Sequence, residues 1–155
     1  MLYVECFADE KLVHSLGVRR RHVRHAKCKR EVLNKLRQQP AGIGLVDQDP
    51  HAAQPSELKN YREIKRGGGL ILLEHRDGSN RWGIILCPRL EEWLYQRAAT
   101  RGIDPQKYVL PGSAQELKKI PHYETKQQFP EFLQQLRQLD EEMALLEDWL
   151  REFTV

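Results

Sequence analysis

Apolar positions along the chain fall into short runs separated by polar, helix-spaced segments. Met1 to Phe7 (MLYVECF) is a compact apolar run rich in Tyr, Val and Phe, and it reads as a buried strand. Asp9 is placed to cap a helix reaching about Gly17, with Leu12, Val13 and Leu16 on one face. Residues 18–24 (VRRRHVR) suggest a short strand inside a basic run. Lys29 to Gln39 carries Val32, Leu33 and Leu36 at core spacing and is closed by Pro40. Ala41 to Val46 (AGIGLV) is a second buried strand, followed at once by Asp47-Gln48-Asp49-Pro50. Ser56 is placed to cap a short helix over 57–65, and Gly67-Gly68-Gly69 reads as a flexible turn.

Two apolar runs, Leu70 to Glu74 and Trp82 to Cys87, flank the turn residues Asp77-Gly78-Ser79-Asn80 and predict a hairpin. Leu90 to Arg101 reads as a helix with Leu90, Trp93, Leu94 and Ala98 on one side. Ser113 and Glu116 form a capping box. Phe132, Leu136, Leu139, Met143, Leu146, Leu150 and Phe153 then alternate steps of four and three along one long helix. Its seam suits packing on the domain's own sheet, or a dimer or partner contact. Strands alternating with helices predict an α/β fold: a mostly parallel sheet flanked by helices, an antiparallel hairpin at one edge and a C-terminal helical extension. The division is a domain over residues 1–125 and a helix over 126–155.

Composition narrows the classes. A chain of 155 residues with 40% apolar and 30% charged residues can bury a core without staples and is too apolar for wholesale disorder. Three cysteines (Cys6, Cys28, Cys87) without a CxxC spacing suit a reducing compartment, so the expected location is cytoplasmic, with no membrane partner. The net charge of +3 conceals a strong asymmetry: residues 1–10 carry −3, 11–37 carry +9, 38–123 carry +2 and 124–155 carry −5. The basic stretch points to an anionic partner, or to neutralisation of the acidic C-terminal helix, or to a merely solvated helix face.

Ligands of parallel α/β sheets bind beyond the carboxyl ends of the strands, where this chain carries Glu5, Asp9 and Glu10 after one strand and Asp47 and Asp49 after another. Alternation in an Asp-x-Asp can direct both side chains the same way. Hard oxygen ligands of this kind suit Mg²⁺ or Mn²⁺, although Asp after a strand is also ordinary turn chemistry. His22, His25 and Cys28, spaced by three, make only a weak zinc set, lacking a fourth ligand.

The string Val4-Glu5-Cys6-Phe7-Ala8-Asp9-Glu10, followed after a helix by Gly44-Leu45-Val46-Asp47-Gln48-Asp49, resembles the TOPRIM domain of type IA topoisomerases, bacterial primases and OLD-family nucleases, with Cys6 where the family usually has Gly. Leu86-Cys87-Pro88-Arg89-Leu90-Glu91-Glu92-Trp93-Leu94 is similar to a Pro-x-x-Glu-x-Trp-Leu signature of small TOPRIM-like proteins related to the anti-phage RloB group. The resemblance covers roughly residues 1–101. It implies a TOPRIM-like fold and a Mg²⁺- or Mn²⁺-dependent nuclease cleaving DNA or RNA, in anti-phage defence or DNA processing. Glu5 would be general acid/base or metal ligand, Asp47 and Asp49 would hold metal, Asp9 would supplement them and Glu91 would approach the same edge. Arg19, Arg20, Arg21, Arg24, Lys27, Lys29, Arg30 and Arg66 are the candidate phosphate contacts. The competing expectation is a non-catalytic nucleic-acid-binding or partner-docking subunit of a larger complex containing an ATPase, and the C-terminal seam offers a route to a homodimer.

Overall fold

The computed structural model describes residues 1–154. Six strands form one mixed sheet: β1 (Leu2–Val4), β2 (Val23–His25), β3 (Ala41–Asp47), β4 (Tyr61–Gly67), β5 (Leu70–His75) and β6 (Asn80–Leu86), in the spatial order β2-β1-β3-β6-β5-β4. β2, β1, β3 and β6 run parallel, and β6, β5 and β4 are joined antiparallel. The helices are α1 (Phe7–Ser15), α2 (Lys29–Arg37), α3 (Leu90–Thr100), α4 (Ala114–Lys118), α5 (Phe129–Leu139) and α6 (Glu141–Thr154).

The two faces of the sheet follow from strand alternation. Leu2, Val4, Ile43 and Leu45 point into a core shared with α1, α3, α5 and α6. Tyr3, Val46, Ile71 and Ile85 point the other way, onto Val32, Leu33 and Leu36 of α2. Gly44 lets α2 lie close on β3, because a Cβ there would stand 2.8 Å from Val32 Cγ1. Full burial of residues such as Phe129, Phe132 and Trp93 stabilises the thicker layer by about 2–3 kcal/mol each. β1 leads through α1 to β2 on one side, and β2 leads through α2 to β3 on the other. The chain therefore reverses direction at β1, and the crevice between the ends of β1 and β3 is the switch point of the sheet.

Several elements differ from the sequence reading. Residues 57–65 do not form a helix: a 3₁₀ turn over Ser56–Asn60 is followed by β4. β4 has an almost wholly exposed, charged sequence (YREIKRG), which leaves no buried face for alternation to report. The hairpin strand β6 is consequently interior, paired to β3, and β4 takes the edge. The glycines do make the β4–β5 turn, with Gly68 at φ +57°, but the turn is clamped. Glu142 Oε1 accepts from the Gly69 N–H at 2.8 Å and from Trp93 Nε1 at 3.1 Å.

The long C-terminal helix is two helices broken at Asp140. Its Oδ2 accepts from the Glu142 and Met143 N–H groups (3.1 and 3.0 Å), capping α6 where α5 ends. Phe132, Leu136, Met143, Leu146 and Leu150 are all buried inside the chain, while Leu139 beside the break is half exposed. α5 and α6 belong to the same apolar core as α1 and α3. No described helix is long and apolar enough to cross a membrane.

Candidate functional site

Glu5 follows β1 directly, and Asp47 is the last residue of the neighbouring β3. The register Val4↔Leu45 brings the two strand ends side by side. Glu5 Oε2 accepts from the Asp47 N–H at 2.7 Å, so one carboxylate is stitched to the backbone under the other. Asp47 Oδ1 in turn accepts from the Leu90 N–H at 3.1 Å, at the first turn of α3, where the positive end of the helix favours it. Glu91, next along that turn, accepts from the Tyr123 hydroxyl at 3.0 Å.

Asp9 sits differently from its expected capping position. Helix α1 begins at Phe7 with Cys6 as its cap, and Asp9, one turn in, reaches back to the Cys6 N–H at 3.3 Å through Oδ2. It is 1% exposed, and its Oδ1 has no hydrogen-bond partner.

Glu5, Asp9, Asp47 and Glu91 thus converge beyond the ends of β1 and β3. Burial raises the Asp47 carboxyl well above the ordinary range, helped by Asp9, Glu5 and Glu91. Burial likewise raises Asp9, with Glu5 next in effect and Glu91 a smaller contributor, while the Cys6 contacts oppose the rise. Glu5 is raised by burial too, against the opposing Asp47 amide bond and Lys29. Among the described residues, Arg, Lys or His forms ion pairs with other carboxylates but with none of these four. Lys29 faces them, but its Nζ donates to the Gln48 carbonyl (2.9 Å) and to Gln54 Oε1 (2.5 Å).

Asp49 lies beyond the end of β3, outside the strand geometry on which the Asp-x-Asp alternation rests. The chain turns after β3, Asp49 takes φ +47°, and its Oδ1 pairs with Arg89 at 2.6 Å. It still lines, with Glu5, Lys29, Arg30 and Asp47, a cleft of about 310 Å³ at the switch point. As the side chains stand, no group of three or more His, Cys, Asp or Glu residues among the described residues forms a ready metal shell. The acidic set nevertheless fits a hard divalent cation in charge and donor type. It is oxygen-only, short of positive charge, and has one buried carboxylate oxygen unpartnered.

The basic run divides. Lys29 and Arg30 line the switch-point cleft, and Lys27 is exposed just before them. Arg66 lies on edge strand β4, toward the same end of the sheet, but is paired to Glu63 at 2.7 Å. Arg24 is exposed on edge strand β2, its Nη1 donating to the Val23 carbonyl at 3.0 Å. Arg19, Arg20 and Arg21 lie before β2, in and beside a 3₁₀ turn over Arg20–His22 at the opposite end of the parallel strands. His22, His25 and Cys28 do not share a helix: they stand in that turn, at the end of β2 and at the cap of α2. Acidic residues of α6 take their arginines from α3, α5 and α6 itself, not from residues 11–37.

Sequence reasoning passed over Arg89, Tyr123 and Gln54, whose roles arise from loops folding back over the strand ends. It also passed over Phe7. This side chain is 54% exposed and stacks flat on His25, with ring centroids 4.2 Å apart and an interplanar angle of 0°. No family model, curated protein or solved structure matches the chain.

Proposed function

We propose that the strand-end carboxylates form the catalytic edge of a divalent-cation-dependent nuclease of TOPRIM-like fold, cleaving phosphodiester bonds in DNA or RNA. The observation that carries the reading is an acidic group at the switch point with no ion-paired base of its own: Asp9, buried with its Oδ1 unpartnered, and the half-buried Glu5, Asp47 and Glu91. A fold does not ordinarily leave like charges buried together unless a ligand or protons compensate them. Mg²⁺ or Mn²⁺ held by Asp9, Asp47 and Glu91 would neutralise charge on the phosphoryl oxygens and lower the pKa of a bound water.

The chain's own groups supply the remainder. Glu5, its basicity raised by burial, holds or moves a proton at the reacting oxygen. Lys29 and Arg30 receive the phosphate backbone along the cleft. Asp49 holds Arg89 beside them. Phe7, stacked on His25 two residues from Glu5, offers a flat surface to a base.

Glu5→Gln and Asp47→Asn are expected to lower Mg²⁺- or Mn²⁺-dependent cleavage by about 10²-fold or more while the chain still folds and melts cooperatively. Cleavage that persists in EDTA, or a folded wild type that takes up no divalent cation by calorimetry, overturns the reading. The Asp47–Leu90 and Glu91–Tyr123 hydrogen bonds favour a second reading, in which the carboxylates are structural and the protein binds nucleic acid, or docks onto an ATPase-containing complex, without cutting. That reading requires salt-sensitive binding indifferent to EDTA.

A further inference from the structure

At the end of the sheet remote from the carboxylates, a cleft of about 530 Å³ opens where α1 finishes, between the turn before β2 and the helices α5 and α6. Its lining is of two kinds. Arg19 and Arg21 from the turn, Arg137 from α5 and Arg151 from α6 bring four guanidinium groups to it. The apolar part is the half-buried Val18, laid over Leu16 and Leu150, which are themselves buried. The cleft lies at the amino-terminal ends of the parallel strands, whereas the carboxylates lie at their carboxyl ends.

The arginines are unevenly matched. Arg137 is fixed in place, its Nη1 donating to the Ser15 carbonyl at 2.9 Å and its Nη2 paired with Glu147 at 2.6 Å. Arg151 shares Glu147 and also meets Asp148, at 3.4 and 3.3 Å. Arg19 and Arg21 have no carboxylate partner among the described residues. The Nε of Arg21 turns instead to His22 Nε2 at 3.0 Å. Four guanidinium charges therefore meet two carboxylates, and the surplus lies on the exposed turn while the opposite wall is already ordered. A doubly charged phosphate balances that surplus and suits the forked donors of arginine. The apolar wall asks for an uncharged body attached to the phosphate, and the volume lies in the range of small-molecule sites.

We infer that this cleft is a binding site for a phosphate-bearing ligand of nucleotide size, with the phosphate on Arg19, Arg21 and Arg137 and the nucleoside portion against Val18. The phosphate arrives either on a free nucleotide or on the terminal nucleotide of a nucleic acid. The site stands apart from the acidic edge and does not depend on cleavage there.

The test is titration of the full chain in EDTA with AMP, with adenosine, and with a short single-stranded oligonucleotide bearing a 5′-phosphate, a 3′-phosphate or neither. A phosphate-bearing probe is expected to bind at least about tenfold more tightly than its phosphate-free counterpart. Tighter binding of AMP than of either phosphorylated oligonucleotide assigns the site to free nucleotides, and the reverse assigns it to nucleic-acid ends. The exposed pair Arg19→Ala and Arg21→Ala, made together, is expected to lower that affinity at least about tenfold, whereas Lys107→Ala, a surface charge elsewhere, leaves it unchanged. Equal binding with and without phosphate, binding indifferent to the arginine pair, or no binding of any probe overturns the inference.

Discussion

Asp140, Glu141 and Glu142 at the α5–α6 junction are met by Arg97 of α3 and by Arg101 just past its end, whereas Glu5, Asp9, Asp47 and Glu91 at the strand ends face one another. In the first group Arg97 grips Asp140 through Nε (2.9 and 3.0 Å) and Nη2 (2.6 Å) and reaches Glu142 through Nη1 at 2.5 Å. Arg101 adds contacts to Asp140 and Glu141. Burial works against ionisation of Asp140, but the hydrogen bonds from Arg97 and the Met143 amide outweigh it and hold the carboxyl below its ordinary value. In the second group burial and mutual repulsion push Asp9 and Asp47 upward. Both groups lie at element junctions and both cap a helix, so acidity and capping alone do not separate structure from function. The difference lies in who supplies the positive charge. A group that carries its own cations is finished, and one that does not has room for a ligand.

Removing the internal cation gives the largest expected effect. Arg97→Met strands the buried Asp140 and Glu142 and is expected to cost about 3–5 kcal/mol in urea unfolding. A loss below 1 kcal/mol would mean that the two acidic groups are not distinguished by their arginines.

Asp47→Asn acts in the opposite sense. It keeps an oxygen for the Leu90 amide while removing a carboxyl that, on folding, must take up a proton or bear its charge among like charges. In EDTA at pH 8 it is expected to stabilise the protein by on the order of 1 kcal/mol, the equivalent of about one pKa unit of relieved repulsion. Destabilisation there would mean that the charge of Asp47 is already balanced within the chain.

The smallest effect is a difference in slope. Unfolded chains release Asp and Glu protons near pH 4, as a rough value. Folded Asp9 and Asp47 hold theirs to higher pH, so their contribution to stability falls as pH rises from about 4 through the raised folded values. Asp140 contributes stability above its unfolded value and loses it as pH falls through its lower folded value. Melting curves from pH 5 to 9 in EDTA are expected to decline for the wild type, and to flatten with millimolar Mg²⁺ or in Asp47→Asn. A decline of equal slope with and without Mg²⁺ would separate the cluster from any divalent cation.

Much of this arrangement is legible in the sequence. Leu2 to Val4 and Ala41 to Val46 announce their strands because both faces of each are covered, and buried strands are uniformly apolar. Their carboxyl-end acids follow directly, which is why Glu5 and Asp47 can be paired before any coordinates are seen. β4 escapes notice because only one of its seven residues is buried, so its hydrogen bonds to β5 carry the assignment that side chains do not. The break at Asp140 is hidden for a different reason: the apolar spacing runs through it on one face, and only the guanidinium of Arg97, 43 residues earlier, shows why the helix stops there. Asp49 shares the cleft with Asp47 but carries an arginine partner, which spacing does not show because it records distance along the chain and not the left-handed backbone at Asp49.

The hydrogen bond from the Leu90 amide to Asp47 also makes α3 a listener. Its first free N–H is held by the very carboxylate that an incoming cation would contest. Whatever draws Asp47 toward a ligand would loosen the opening of a helix that, through Trp93 and Glu142, is tied to the glycine turn at the same end of the sheet. Occupancy at the strand ends, as proposed, would thus be written into the hydrogen-exchange rate of one amide. Faster exchange at Leu90 when Mg²⁺ is added would report arrival at the site without any substrate being cut.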